Sequence, residues 1–134
     1  MWQMREFTSG AYFGCWGHMG HFLYDVKGSK ISLEETNLPW KSEELDGRLC
    51  PGYSRKPQQQ LQFEGEAIVH YRDGWTALAF WDRSFDTRYG SNSVFLLPGI
   101  FTIDEAIVLA QKTFPTIWKR FTFPVRATAT AGSL

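Results

Sequence analysis

Two runs of alternating apolar residues, separated by an Asp–Gly pair, form the clearest pattern in the chain. They extend from Glu66 to Arg72 and from Trp75 to Asp82, with Asp73 and Gly74 between them. An Asp–Gly pair between two such runs predicts a β-hairpin with a two-residue turn. That turn sets the strand register, and the predicted cross-strand pairs are Arg72–Trp75, His70–Ala77 and Ile68–Ala79.

Alternation gives the predicted hairpin two different faces. One face has the residues of a hydrophobic core, namely Ala67, Val69, Tyr71, Thr76, Leu78 and Phe80. The other face combines two alanines with tryptophans and basic groups: Ile68, His70, Arg72, Trp75, Ala77, Ala79 and Trp81. The alanines predict a shallow floor between Trp75 and Trp81, which accommodates either a packed helix or a planar ligand stacked on indole.

The remaining apolar patterns predict one helix and further strands. Thr102 and Glu105 have the spacing of a capping box, and an apolar stripe at helical spacing follows them. Pro115 should end or kink this helix near Phe114. Further strands are expected over Phe22–Val26, Ser93–Leu97 and Thr122–Ala127. The predicted fold is α+β, a mainly antiparallel sheet with a central β-hairpin and one principal C-terminal helix packed on it.

A chain of 134 residues is long enough for one domain and too short for two ordinary ones. We therefore expect a single domain over residues 1–134. The region from about Lys27 to Gly65 contains three prolines and an acidic stretch, and it predicts a long irregular segment. The tail from about Thr128 to Leu134 is expected to be frayed.

Charge and hydropathy exclude several classes of protein. The 14 basic and 14 acidic residues cancel, so the chain lacks the net positive charge that general nucleic-acid or anionic-membrane binding requires. The longest apolar run, Val94–Phe101, is interrupted by Pro98 and Gly99 and is far short of a membrane span. Met1–Glu6 lacks the charged start and apolar core of a signal peptide. We expect a cytoplasmic protein that does not associate with membranes.

The segment from residue 82 to residue 93 is the strongest candidate for a ligand site. It connects two apolar runs, yet it contains carboxylates, guanidiniums, an amide and hydroxyls, including Asp82, Arg83, Asp86, Arg88, Ser91 and Asn92. Guanidinium presents a planar pair of donors that suits phosphate or carboxylate. The alternative is a solvated connection whose Asp–Arg pairs only hold the loop together. A calcium loop is disfavoured, because Thr87 and Ser93 occupy the positions that need Gly and Glu.

Three glycines recur at every third position, at Gly14, Gly17 and Gly20, close to His18 and His21. Glycines let backbone N–H groups approach an anion closely. Dinucleotide-binding and P-loop patterns need another spacing and a helix after the loop, whereas a strand is expected here. The alternatives are an anion-contacting loop and a simple tight loop.

Cys15 and Cys50 are the two cysteines of the chain, and we expect both to be reduced thiols in the cytosol. Together with His18 and His21 they offer the donor types of a zinc site. However, Cys15, His18 and His21 are crowded, and Cys50 lacks a second ligand nearby. Cys15 also lacks an identifiable group to orient a histidine for nucleophilic catalysis. We therefore predict no metal site, no cofactor and no catalytic residue.

The run Asp73–Ser84, followed by Asp86, Arg88 and Ser91–Ser93, resembles small uncharacterised proteins carried by bacterial phages and mobile elements. The similarity also includes Gly20–Tyr24, and Asp46–Gly47 through Leu49–Cys50–Pro51. This resemblance implies an accessory role, such as one against host defence. It provides no known catalytic residue that could be assigned to this chain.

Our first functional hypothesis is a non-enzymatic binding protein with a pocket between the Gly14–His21 loop and the Asp82–Ser93 loop. In this pocket, two arginines bind the anionic group of a nucleotide-like metabolite, a histidine assists them, and a tryptophan stacks on the planar part. The residues in these roles are Arg83 and Arg88, His18 or His21, and Trp75 or Trp81.

A second hypothesis is a protein–protein inhibitor or adaptor that acts on a host enzyme, since exposed Trp and Arg are often energetically central at interfaces. A small hydrolase that uses Asp82 or Asp86 with a histidine is weaker, because no activated nucleophile is evident. The sequence contains no signal for the oligomeric state.

Overall fold

A computed structural model describes residues 10–17, 20–47, 49, 63–82 and 91–127. Within these residues the protein is built on one seven-stranded β-sheet. Within these ranges the strands are β1 (Tyr12–Gly17), β2 (Gly20–Asp25), β3 (Lys30–Ile31), β4 (Glu66–Arg72), β5 (Trp75–Asp82), β6 (Ser91–Pro98) and β7 (Arg126–Ala127). The helices are α1 (Ser42–Gly47), α2 (Ile103–Thr113) and α3 (Pro115–Trp118), with a 3-10 turn at Leu33–Glu35.

The described strands lie in the order β3-β2-β1-β6-β5-β4-β7, and every neighbouring pair is antiparallel except β4 and β7. The α+β class and the mainly antiparallel sheet are therefore as predicted. The sheet is larger than a hairpin, however, because β1 pairs with β6 and thereby adds the three strands β1, β2 and β3 to it. No strand was predicted over β1, whose glycines weaken the alternating pattern.

The central hairpin has the predicted bounds and register. Arg72 pairs with Trp75, His70 with Ala77, and Ile68 with Ala79. The turn residues Asp73 and Gly74 have φ values of 49° and 83°. Two consecutive positive φ values characterise a type I′ turn, whose twist matches that of the flanking strands.

The sheet has a helix face, which we define by Phe13, Leu78, Phe80 and Phe95, against which α2 and α3 pack. The ring of Phe95 lies 5.5 Å from that of Phe114 and 5.7 Å from that of Trp118, between centroids. Phe80 meets Phe121 edge-to-face at 5.1 Å. Each such aromatic pair contributes about 0.5–1.5 kcal/mol beyond the burial of its area. These aromatic rings therefore form the core on the helix face.

The predicted capping box begins α2. The Thr102 hydroxyl accepts a hydrogen bond from the Glu105 N–H, and the Glu105 carboxylate accepts one from the Thr102 N–H. The helix ends at Thr113, and Pro115 starts the short helix α3. The prediction of one principal helix is too simple, because α3 contributes Trp118 to the same aromatic core and α1 lies elsewhere in the chain.

The opposite face of the sheet, which we define by Gly14, Trp16, Ala77, Ala79 and Val94, is also covered. Ala77, Ala79 and Val94 are fully buried. The floor of small residues is thus closed, in agreement with packing and not with an open ligand surface.

Part of the segment predicted to be irregular provides this cover. Trp40, Leu45 and Leu49 are buried there. Arg72, on the opposite face, donates to the Glu44 carboxylate at 2.8 Å and to the Pro39 carbonyl at 3.3 Å. The predicted irregular segment therefore contains β3, the 3-10 turn and α1, and residues 48 and 50–62 lie outside the described part.

Two further strand predictions need correction. The predicted strand Phe22–Val26 is observed as β2, Gly20–Asp25, and the predicted strand Thr122–Ala127 is reduced to β7. Pro124 explains the second difference, since proline cannot donate a ladder hydrogen bond. The predicted frayed tail, from Thr128 onward, is not among the described residues. No helix within the described ranges is long and apolar enough to cross a membrane.

Replacing Gly74 by alanine should destabilise the protein by about 1–2 kcal/mol, because a Cβ is unfavourable at its left-handed φ. No heavy atom lies within 4 Å of the position of an added Cβ, so the effect comes from the backbone. Urea unfolding measures the change. Asp73→Asn is the control, since asparagine tolerates positive φ. An unchanged free energy of unfolding for Gly74→Ala would contradict the type I′ turn.

His70 should make the stability depend on pH. Burial lowers the pKa of His70 from its ordinary value of 6.5, a backbone hydrogen bond with Leu49 opposes this shift, and Arg72 adds to it. The folded protein thus favours neutral imidazole, whereas the unfolded chain takes up a proton near pH 6.5. Stability is then complete above about pH 6.5 and is lost as the pH falls toward the lowered folded pKa.

We expect His70→Gln to show a smaller loss of unfolding free energy than the wild type between about pH 7.5 and about pH 5.5. The control is Val108→Ala, since Val108 is exposed and does not titrate, so its substitution should leave the loss unchanged. Urea titrations at the two pH values measure both. Equal losses in the wild type and in His70→Gln would rule out His70 as the source.

Candidate functional site

The two connections that the sequence singled out leave the sheet at the same end. Gly17 pairs with Gly20 in β2 and with Ser91 in β6, and Ser91 pairs with Asp82 in β5. Neighbouring strands lie about 4.8 Å apart, so the backbones of Gly17 and Asp82 are about 10 Å apart. We call this row of four residues the site end. The residues that flank the two connections therefore lie at the same end of the sheet.

The expected loop from Gly14 to His21 is mostly strand. Its first four residues belong to β1, and Gly20 and His21 belong to β2. Gly17 pairs with Gly20, so two residues connect the strands, in agreement with the tight loop that was one of the two alternatives. His18 lies outside the described residues, as do Arg83, Asp86 and Arg88.

Four side chains of the opposite face form one row next to the site end. His21 pairs with Trp16, Trp16 with Asn92, and Asn92 with Trp81. Directly paired residues project from the same face of a sheet, so the row crosses four strands. We call it the aromatic row. It brings together three of the predicted site residues.

Exposure changes along the aromatic row. His21 is exposed and Trp81 is half-buried, whereas Trp16 and Asn92 are buried. The rings of Trp16 and His21 lie 6.3 Å apart between centroids. A planar group could therefore reach the row from its two ends, at the exposed His21 and at the half-buried Trp81.

Sequence reasoning missed Trp16. Its ring lies back along β1 over Gly14, where an added Cβ would overlap the indole atoms Cζ3 and Cη2. The alternation of Tyr12, Gly14 and Trp16 is the sequence pattern that indicates this strand and places Trp16 on the same face as Gly14. The glycine in this pattern hid the strand, although it is also what makes room for the indole.

Asp82 projects from the other side of the sheet. It is fully buried and accepts a hydrogen bond from the Ser93 hydroxyl. Ser93 in turn pairs with Cys15, a buried thiol that is not part of a disulfide. Cys50 lies outside the described residues, so its predicted thiol state stays a prediction. Asp82 therefore supports the site end from the helix face and does not line the aromatic row.

The division between two faces limits the possible chemistry. Asp82 and His21 lie on opposite sides of the sheet, so they cannot act together as a hydrolytic pair. Cys15 and His21 are separated in the same way and cannot bind one metal ion. Within the described ranges, no group of three or more His, Cys, Asp and Glu side chains could hold a metal.

Trp75 is distant from the site end. It begins β5, and Trp81 follows six residues later, about 20 Å away at about 3.3 Å per residue. The ring of Trp75 stacks with that of Tyr12 at 6.3 Å and an interplanar angle of 25°. One small ligand cannot contact both tryptophans, so of the two predicted stacking residues only Trp81 belongs to this site.

Gly14→Ala should displace the Trp16 indole, because its Cβ would occupy the space of the ring. We expect a loss of about 1–3 kcal/mol in the free energy of unfolding, as for other overpacked sites. The near-UV circular dichroism should change as well. Gly10→Ala is the matched control, since its Cβ would meet Pro98 Cγ at an ordinary 3.6 Å. Equal effects of the two substitutions would contradict the described position of Trp16.

Comparisons with known proteins provide no family assignment. No protein-family model, no curated protein and no solved structure matches the chain. Functional inference for this protein therefore depends on the residues and geometry of the site end and the aromatic row.

Proposed function

We propose that the protein is a non-enzymatic binding protein that sequesters an anionic, nucleotide-like ligand at the site end. One observation carries this proposal: strand register places the aromatic row beside the two ends of the connection that contains the predicted anion-binding arginines. Asp82 and Ser91, which pair with each other, are the residues where that connection leaves and re-enters the sheet. In the chain, Arg83 follows Trp81 by two residues.

The two kinds of group match the two parts of such a ligand. Arg83 and Arg88 would bind the phosphate, since guanidinium forms paired, charge-assisted hydrogen bonds with its oxygens. Trp81 or His21 would contact the planar part, and stacking of one base on an aromatic ring contributes about 1–3 kcal/mol. Asn92 adds an amide within the row. His18, Asp86 and Ser91 stay candidates from the sequence.

Sequestration fits the setting that the sequence resemblance implies. An accessory protein of a phage or mobile element could oppose host defence by removing a nucleotide signal from the cytoplasm. Binding alone would suffice for that role. The separation of Asp82 from His21 also disfavours the hydrolase that this pair would have formed.

A second candidate function is an inhibitor or adaptor that binds a host protein. Exposed apolar side chains at the end of the sheet away from the site end favour it: Ile100 is 61% exposed and Tyr71 is 46% exposed. The Tyr71 hydroxyl donates to the Phe101 carbonyl at 2.6 Å, which fixes Tyr71 near Ile100. Native mass spectrometry of protein from phage-infected cells separates the two functions, since one predicts a copurified small molecule and the other a host protein.

Arg83→Gln and Arg88→Gln should weaken binding of nucleoside phosphates while leaving the fold intact. Each lost charged hydrogen bond should cost about 1.5–3 kcal/mol, which corresponds to a reduction in affinity of about ten- to a hundredfold. Isothermal titration calorimetry with AMP, GMP, CMP and UMP measures this effect, and thermal melts test folding. Arg→Lys should restore binding only in part, because ammonium lacks the planar donor pair.

Arg120→Gln is the matched control, because Arg120 is an exposed arginine that follows α3. It should bind nucleotides like the wild type. Normal binding by well-folded Arg83→Gln and Arg88→Gln proteins would exclude this connection from the site. Absence of nucleotide binding by the wild type would overturn the proposed function itself.

A further inference from the structure

A buried hydrogen-bond donor lies in the middle of the aromatic row. Trp16 is 3% exposed, and its Nε1 has no hydrogen-bond partner within the part of the chain that the structure describes. A buried donor without a partner costs about 1–3 kcal/mol. Native proteins seldom keep such a group unless it serves a purpose.

The position of the ring fixes the direction of this donor. The Cζ3 and Cη2 atoms of the indole lie over Gly14. Nε1 belongs to the pyrrole ring, at the other side of the indole, so its N–H points away from Gly14. Glycine within a strand costs about 0.5–1 kcal/mol relative to alanine. The chain thus keeps an unfavourable residue that lets the indole lie flat and sets the direction of its N–H.

The surroundings distinguish the Trp16 donor from two other buried polar atoms that have no partner among the described residues, whereas a fourth buried atom, Asn92 Oδ1, is an acceptor in the aromatic row itself. His70 Nε2 lies under the covering segment near Leu49, and Thr113 Oγ1 belongs to α2. Trp16 instead lies between His21 and Asn92, in the row that the proposed function assigns to the planar part of the ligand. An indole N–H is a donor only, so its partner must be an acceptor that lies along the N–H bond, in the plane of the indole ring.

We infer that the Trp16 indole N–H recognises the base of a nucleotide by donating to a carbonyl oxygen or ring nitrogen on the edge of that base. This inference rests on the proposed function and specifies its ligand, because a sugar phosphate without a base has no such acceptor. Trp16 is buried, so a base reaches it only after a neighbouring side chain moves. His21 is exposed, and its ring centroid is 6.3 Å from that of Trp16, so it is the exposed neighbour of the indole within the row.

Indole ¹H–¹⁵N spectra of the full chain test this inference. The chain has six tryptophans, and triple-resonance spectra together with Trp16→Phe assign the Trp16 signal. The probes are AMP, GMP, CMP and UMP, with ribose 5-phosphate as the ligand that lacks a base. We expect at least one nucleotide to shift the Trp16 N–H signal downfield. Ribose 5-phosphate should leave it in place.

Affinity provides the second measurement. Trp16→Phe should bind the preferred nucleotide about tenfold more weakly and bind ribose 5-phosphate as the wild type does. Trp75→Phe is the matched control, since Trp75 lies at the other end of β5, and it should alter neither affinity. If Trp16→Phe does not fold, the wild-type spectra still decide between the outcomes.

The outcomes separate this inference from the proposed function. If a nucleotide binds and binding depends on Arg83, but the Trp16 signal does not move, the base-recognition role is wrong and the proposed function stands. Equal shifts with nucleotides and with ribose 5-phosphate would also overturn base recognition. If no nucleotide binds at all, the proposed function fails and the inference fails with it.

Discussion

The pairing of β1 with β6 is the constraint on which the rest of the structure depends. It joins the N-terminal strands to the central hairpin and places the Phe13 ring 4.8 Å from that of Phe95, between centroids. It also places Gly17 beside Ser91. Because side chains alternate along a strand, a shift of one residue would move Phe13 to the opposite face and Trp16 into the aromatic core. The same register therefore fixes the core and assembles the aromatic row.

The sequence was sufficient for features whose signals are local. The Asp73–Gly74 turn, the register of the central hairpin and the capping box of α2 each depend on residues close together in the chain. The pairing of β1 with β6 depends instead on residues far apart, and the glycines of β1 conceal its alternation. For this reason the sequence was enough to propose the two connections as a site. Only the structure shows that they leave the same end of the sheet and that Trp16 lies beside them.

The segment that covers the opposite face could not be predicted from the sequence either, because the interactions that hold it are mainly apolar contacts between residues far apart in the chain. Arg72 and Glu44 form the ion pair that links the two layers, but a partly exposed pair contributes only about 0–1 kcal/mol. Burial of a large apolar side chain contributes about 1.5–3 kcal/mol, so Trp40, Leu45 and Leu49 hold the segment in place. Only Leu45 and Leu49 have helical spacing, and two positions are too few to predict a helix that packs on the sheet. The sequence therefore predicts that something covers the alanines, but it does not distinguish a packed segment from a ligand.

The site end depends on both faces of the sheet, although only one face offers recognition groups. Trp81 and Asp82 are consecutive and project to opposite sides. The Asp82–Ser93 hydrogen bond joins β5 to β6 where the connection with the arginines begins and ends. Removing one member of a buried hydrogen-bonded pair costs more than the bond itself contributes, because the other member loses its partner. In the proposed site, Asp82 would therefore act as a positioning residue. Its substitution would change ligand binding through the strand ends and not through contact with the ligand.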